Sequence, residues 1–529
     1  MSMNRLDGKS IFSNRLKWGR FVCSFILFAC LFSQAGMVNA QNQTVDTSVN
    51  ENAISVLTSD VDGDGYNDAS FENKNVKVVI SSKTGAPSLY YLKGENFNEN
   101  LFPPQIMDMG YSVEKSIMKG FEFDNCDGYF SKNSYNVEVE SQSQEEVVIR
   151  ATANVSPVVD ETTPDNESVS LIKRYKFFKD GYTFKLEATV TNQKEKLIAL
   201  GNASSSFDLY FGPGIFMDPF GPRSMIGLKS GGECEFFTNQ EKVNETDRET
   251  FWGIGIKDQY FCAMIEADQM LKIGAVASTA PSIDERKRPQ PTHLISCSLP
   301  KFNLGAKESR TFRFNIYAGP IVYEELQKIN RTKIGDFGFL NTLMLKTLRF
   351  FYSLIPNYGI AIILLTLLVR LVLYPLTLKQ TKAMAQMQKL QPKIKDIQDR
   401  YKDDRQKMNE EVMKLYMKNN VSPLGGCLPL LLQLPIIMAL YNTFRIAVEL
   451  RKAPFLWMSD LSKGDPYLIL PIAIMVLTYY QQGKANVDPQ QRQAMAFMPM
   501  MMFVITWSLP SGLLVYWFAS SVLGLLQQL

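Results

Sequence analysis

Arg370 stands at the end of the apolar run Ile362-Ile363-Leu364-Leu365-Thr366-Leu367-Leu368-Val369. A guanidinium there is costly to expose to hydrocarbon. Thr366 precedes it by four positions, so on a helix the two share a face and the hydroxyl adds a polar contact. One reading sets the pair in a wet, protein-lined cavity; in the other, Arg370 snorkels to the nearby end of its span. Little else in the chain suggests covalent chemistry. His293 is the only histidine in 529 residues and lies in the stretch Pro289-Gln290-Pro291-Thr292, so a mechanism with two imidazoles is excluded. Asp60, Asp62, Asp64 and Asp68 place oxygens around Gly63 and Gly65 as calcium loops do, but Phe71 occupies the position of the closing glutamate. A solvated acidic turn in a linker is the alternative. Gly8-Lys9-Ser10 lacks the earlier glycine of a phosphate loop, Met3 standing in its place. No enzyme activity, cofactor or bound metal is expected, and a net charge of +3 does not point to DNA.

The elements that position Arg370 belong to a chain divided between two solvents. Residues 41–335 are polar and strand-like, and residues 337–529 carry long apolar runs. Before them, Arg5, Lys9, Arg15, Lys17 and Arg20 precede the apolar segment 21–32 and then Val38-Asn39-Ala40. Residues 1–40 therefore read as a secretory signal or an uncleaved N-terminal transmembrane anchor, and either one exports the residues after it. Leu27-Phe28-Ala29-Cys30 resembles a lipoprotein processing site, with Phe28 fitting poorly. Cys126, Cys234, Cys262 and Cys297 fall in the exported segment, where they are either disulfide-bonded or buried free thiols.

Alternating runs at 76–80, 135–139, 146–150 and 183–188 have the period of half-buried strands. Turn residues such as Lys179-Asp180-Gly181 and Ser82-Lys83-Thr84-Gly85 separate many of them, which predicts a large antiparallel β-sandwich over 41–335. Residues 336–356 carry apolar side chains at helical spacing, with Lys346 and Arg349 elsewhere on the wheel, as in an amphipathic helix lying on a membrane surface. Beyond them, spans are predicted at 358–378, 425–448, 467–482, 494–509 and 511–528. The lysines and arginines from Lys379 to Lys418 place the 379–424 segment in the cytoplasm and the soluble half outside, so the C-terminus is cytoplasmic. Two apolar stripes flank Asp403-Asp404 in that segment, predicting a helical hairpin whose basic surface could meet anionic lipid, ribosomal RNA or an emerging chain.

These same residues carry a family resemblance. The run from Ile362 to Arg370 with Tyr374-Pro375-Leu376-Thr377 resembles the first core span of YidC insertases. So do Leu390-Gln391-Pro392-Lys393, Asn420-Val421-Ser422-Pro423-Leu424-Gly425-Gly426-Cys427, Gln433-Leu434-Pro435, Asp465-Pro466-Tyr467, Phe497-Met498-Pro499 and Leu509-Pro510-Ser511-Gly512, in that order. The resemblance implies a five-helix, all-α transmembrane core (357–529) below the periplasmic sandwich of the Gram-negative members, in the bacterial inner membrane. It implies an insertase and chaperone acting on nascent integral membrane proteins, alone or with the Sec translocon, and the ribosome is a further expected partner. It also implies a groove open to cytoplasm and lipid, containing Arg370, Thr366, Gln433 and Tyr516, with Trp517 where a second tyrosine is common. Lys389, Pro392 and Lys393 match the family's cytoplasmic hairpin. A small-solute transporter or channel is the rival reading, though no paired repeats with broken spans are visible.

Overall fold

The computed structural model describes residues 54–60, 65–94, 99–100, 119–125, 134–155, 169–200, 206–212, 224–237, 240–244, 251–280, 290–335, 337–401, 404–419, 428–484 and 497–528. The signal-like segment 1–40, Asp62, Asp64, Cys126 and the 420–427 motif lie outside the described residues. Two compact units emerge, one from Asn50–Thr342 with Arg445–Glu449 and one built from Leu343–Phe444 and Leu450–Leu529.

In the first unit the alternating runs become the strands Val76–Ser81, Asn136–Gln142, Glu146–Val155 and Thr183–Asn192, each beginning within a residue of expectation and running on past it. Among the described residues the strands form sheets of five, twelve and two, with antiparallel pairing throughout. The four neighbours Glu146–Val155, Val169–Phe178, Thr183–Asn192 and Ser309–Pro320 show why the alternation matters. One face carries Val147, Ile149, Leu171, Tyr175, Phe184 and Leu186, all buried. The other wears cross-strand ion pairs, including Arg174 with Glu140 at 2.7 Å and Lys176 with Glu146 at 2.7 Å. The five-stranded sheet closes over the apolar face: Phe71 stacks on Phe177 with centroids 4.7 Å apart, and Tyr90 meets Phe184 at 6.0 Å. Both sheets thus share one core, as a sandwich requires.

Two turns explain their glycines. Gly181 has φ +92, and Gly85 has φ +56 with the Tyr135 ring so close that an added Cβ would lie 2.5 Å from it. Charged side chains that the core encloses find polar or aromatic partners. Lys173 is fully buried on the inner face, donates from Nζ to the Thr84 carbonyl at 3.0 Å and lies 4.4 Å from the Tyr135 ring centroid. Arg331, also buried, donates to Glu266 at 2.6 Å and to the carbonyls of Lys229 and Glu233 at 2.7 and 3.0 Å. Cys234, Cys262 and Cys297 are free thiols. Burial pushes the Cys297 thiol up to about 12 and that of Cys262 well above its ordinary range.

The second unit is helical. We label Phe339–Leu354 α1, Tyr358–Arg400 α2, Arg405–Lys418 α3, Leu428–Ile446 α4, Ile469–Lys484 α5, Met498–Trp507 α6 and Ser511–Gln528 α7. α1 buries Met344, Leu345 and Leu348 and exposes Phe339, Leu343, Phe350 and Leu354. Among the described residues one stretch, Tyr358–Leu378 of α2, is long and apolar enough to cross a bilayer; Ile469–Gln481 and Ser511–Leu526 are shorter apolar helices. The ten residues of α6 rise about 15 Å, roughly half a hydrocarbon core, so the span expected at 494–509 is not complete in this helix alone.

The separation of span and hairpin at 378/379 is not observed. α2 runs unbroken through 43 residues, past Pro375 and Pro392, and itself forms the first arm of the hairpin. The change at 379 is one of polarity only. Lys379, Gln380, Lys382, Ala383 and Met384 are good helix formers and include no glycine or asparagine stop. Tyr401 closes α2, and the Asp404 side chain caps α3 by accepting from the Lys407 amide at 3.0 Å.

Candidate functional site

α2 begins where Asn357 accepts from the Ile360 amide at 3.1 Å, and its apolar run then carries Thr366 and Arg370 down one face. α7 packs against it. Ser511, the first residue of α7, comes directly after Pro510, which cannot continue the preceding helix and starts a new one. Along α7, Tyr516, Ser520 and Gly524 recur every fourth residue and form one stripe.

Arg370 meets that stripe. Its Nε donates to Ser520 Oγ at 3.1 Å, and Nη2 donates to Ser520 Oγ at 2.7 Å and to the Ser520 carbonyl at 2.5 Å. A Cβ on Gly524 would come within 3.2 Å of Nη2, so the glycine leaves the space that the guanidinium fills. Among the described residues no carboxylate forms an ion pair with Arg370. Among the described residues the cation is held in place by a hydroxyl and a carbonyl, neither of which carries a charge. Such an arrangement can attract and release an anionic or strongly polar group without forming a bond.

The other expected groove residues divide. Tyr516 is buried on the same stripe, one turn before Ser520. Thr366 is fully buried, but its hydroxyl donates to the Ile362 carbonyl at 2.7 Å, back along its own helix, rather than toward the arginine. Trp517 is half-buried and lies about 100° around α7 from Tyr516, off the stripe that meets Arg370. Gln433 is a residue of α4, and its side chain lies outside the described residues. In the C-terminal half of α2, Lys389, Pro392 and Lys393 are exposed. Sequence patterning alone does not single out Ser520 and Gly524. Their signal is small residues spaced by four from a tyrosine, in a helix that faces a half-buried arginine.

On the opposite side of α7, Phe518 and Val522 line an apolar groove of about 610 Å³ with Ile472, Val476 and Tyr480 of α5. Gln481 Nε2 ties α5 to α7 by donating to the Ser521 carbonyl at 3.0 Å. The acidic loop offers less. Asp68 is buried and accepts from the Ser82 amide at 2.8 Å, and Asp60 accepts from the Gly65 amide at 2.9 Å. Among the described residues no three of His, Cys, Asp and Glu cluster as a metal set would.

Comparison with known proteins supplies the context. Residues 350–529 match the family described as 60Kd inner membrane protein, and residues 136–348 match the YidC periplasmic domain. The membrane protein insertase YidC of Geobacter metallireducens is 36% identical over 282 residues, covering 52% of this chain and 51% of that protein. Its counterpart in Syntrophus aciditrophicus is 30% identical over 472 residues, covering 85% of this chain and 82% of that protein. A crystal structure of an active YidC insertase with its first transmembrane domain resolved aligns over 90% of this chain and 94% of that one, with 19% identity and a TM-score of 0.38. With a β-rich periplasmic domain, a helical C-terminal half and a 30% identical relative aligned over 82% of its length, the chain belongs to the YidC family of membrane protein insertases.

Proposed function

We propose that the chain inserts and helps to fold nascent integral membrane proteins through a polar groove centred on Arg370, either alone or beside the Sec translocon. The observation that carries this reading is an arginine held by Ser520 with no carboxylate to neutralise it among the described residues. In an apolar helix such a charge is expensive to keep unless it serves a ligand. An acidic or polar part of a substrate's translocating segment would be drawn to the guanidinium. The wet groove then shortens the hydrocarbon distance that this segment must cross. The substrate's apolar segment partitions into lipid, and energy comes from that transfer and from the membrane potential.

In this reading α2, α4, α5, α6 and α7 provide five spans, with the β unit in the periplasm and the C-terminus in the cytoplasm. Support comes from the basic residues of the α2–α3 hairpin, which by the positive-inside rule belong on the cytoplasmic side. Exposed Lys389 and Lys393 would there face anionic lipid or a ribosome. α1, with its exposed Phe339, Leu343, Phe350 and Leu354, would lie along the outer interface. The groove holds the working residues, so deleting much of residues 41–320 should leave insertion intact. Loss of insertion on that deletion, at normal protein levels, would contradict this.

The direct test is insertion of a small phage-coat-type substrate into proteoliposomes, scored by protease protection. Protection that requires the protein and falls at least about tenfold in Arg370→Ala supports the proposal. No protection with either protein would turn the reading toward a transporter.

A further inference from the structure

We propose that the apolar groove between α5 and α7 holds one acyl chain of a phospholipid from the cytoplasmic leaflet, as a fixed part of the helical unit. The leaflet rests on the topology of the proposed function; the choice of an acyl chain rests on the groove itself. The two helices are tied at both of its ends. At one end Asp465 accepts from the Leu470 amide of α5 at 2.7 Å, and two residues earlier the Lys463 carbonyl accepts from the Ser511 amide of α7 at 2.6 Å. At the other end Gln481 of α5 donates to the Ser521 carbonyl of α7 at 3.0 Å. Between the ties the walls are bulky, with Ile469, Ile472, Val476 and Tyr480 along α5 and Phe518 and Val522 along α7. The four α5 residues recur every three or four positions, so they form one face along the helix axis, and all four are exposed.

The chemistry of these walls selects the occupant. Ordered water needs several polar partners, and the Tyr480 hydroxyl is the only polar side-chain group in the lining. A transmembrane helix packs through small residues that let two backbones approach, or through hydroxyl and amide groups that bond across the interface. The lining has one small residue, Ala473, and no serine, threonine, asparagine or glutamine. An acyl chain needs neither device. It has no backbone to bring close and no polar group to satisfy, and its methylenes gain dispersion contacts by filling gaps between branched and aromatic side chains.

Length agrees with this choice. From Ile469 to Tyr480 the face runs about 16 Å along α5, close to the roughly 15 Å depth of one leaflet of hydrocarbon. Tyr480 stands at one end of the groove, where an apolar ring with a polar tip suits the level at which chain gives way to headgroup. The adjacent Tyr479 is exposed as well. α5 ends four residues beyond Tyr480, at Lys484, on the side that the proposed topology makes cytoplasmic. The chain presses on Phe518 and Val522, which lie on the side of α7 away from Ser520. It therefore backs the helix that grips Arg370, and fills space into which α7 could otherwise lean.

The test counts phospholipid bound to the full chain after exhaustive washing in detergent, by native mass spectrometry with no substrate present. Wild type should retain one phospholipid. Ala473→Trp, whose indole fills the groove, should retain at least about tenfold less, and Val372→Trp, on an exposed face of α2, should match wild type. Equal retention by wild type and Ala473→Trp, loss in both variants, or no phospholipid on wild type overturns the proposal. If Ala473→Trp fails to fold, as judged by thermal melting, cross-linking decides alone. With the photoreactive residue benzoylphenylalanine in place of Val476, irradiation in native membranes should add the mass of a phospholipid to the chain. An adduct with a polypeptide, or none, overturns the proposal. Lipid retention is scored without insertion, so failure of the insertase reading leaves the comparison standing.

Discussion

Each unit draws a cation out of water, Arg331 fully and Arg370 in part, and the two are held in different ways. In the β unit Arg331 is enclosed between Glu266 and two backbone carbonyls, and the carboxylate supplies its counter-charge. In the helical unit Arg370 is gripped by Ser520, and among the described residues it meets no carboxylate. A matched buried cation holds a structure together, whereas an unmatched one is a cost that the structure carries for a ligand.

The largest effect expected from that contrast is on stability. Arg331→Ala should cost about 3 kcal/mol, because Glu266 and two carbonyls lose their donor together. Denaturant unfolding of the full chain in detergent, monitored by fluorescence, would measure it. Arg370→Ala should cost less than about 1 kcal/mol in the same experiment, since it also removes the burden of an unneutralised charge. Equal losses would break the comparison.

A neutral group of the β unit sharpens it. Burial holds the Cys297 thiol at about 12, against an ordinary value of about 8.5. Because the folded value is the higher one, the contribution is complete below pH ~8.5 and is lost as pH climbs toward 12, at up to about 1.4 kcal/mol per pH unit. Cys297→Ala should make this fall in stability shallower between roughly pH 9 and 11, leaving the share that the buried Cys262 thiol contributes. A slope as steep as in wild type would show that the thiol is not its source.

The smallest effect concerns the grip on Arg370. Ser520→Ala removes the hydroxyl acceptor and leaves the carbonyl, so insertion should fall about threefold, and Ser520→Thr should restore it. A hydroxyl that merely filled space would show no such rescue.

Much of the architecture was legible, for reasons that particular residues make clear. The strand starts at Val76, Glu146 and Thr183 can be read from alternation, because one sheet face is apolar and the other wears ion pairs. The strand ends cannot, since Ala151, Thr152 and Ala153 continue the Glu146–Val155 strand with side chains that suit helix or strand. The hairpin turn at Asp404 is visible as a capping residue between apolar stripes. The continuity of α2 is not, because a change from apolar to charged residues resembles a boundary while good helix formers carry the backbone through it.

At the site, Arg370 announces itself by its cost in an apolar run. Its partner does not, as a serine in a helix usually bonds to its own backbone and carries no pattern. The family resemblance brings Trp517 beside Tyr516, and one residue along a helix turns it about 100° from the stripe that meets Arg370. Spacing by four, from Tyr516 through Ser520 to Gly524, is the informative signal.

The central claim is that Arg370 is kept unneutralised in order to receive substrate charge. The measurement that tests it most directly compares two substrates in proteoliposomes, one with acidic residues in its translocated segment and one with those residues replaced by glutamine or asparagine. Wild type and Arg370→Ala would be scored by protease protection on both. The account predicts a loss of at least about tenfold for the acidic substrate and less than about twofold for the neutral one. Equal losses on both substrates would contradict it, leaving Arg370 a structural residue of the helical unit.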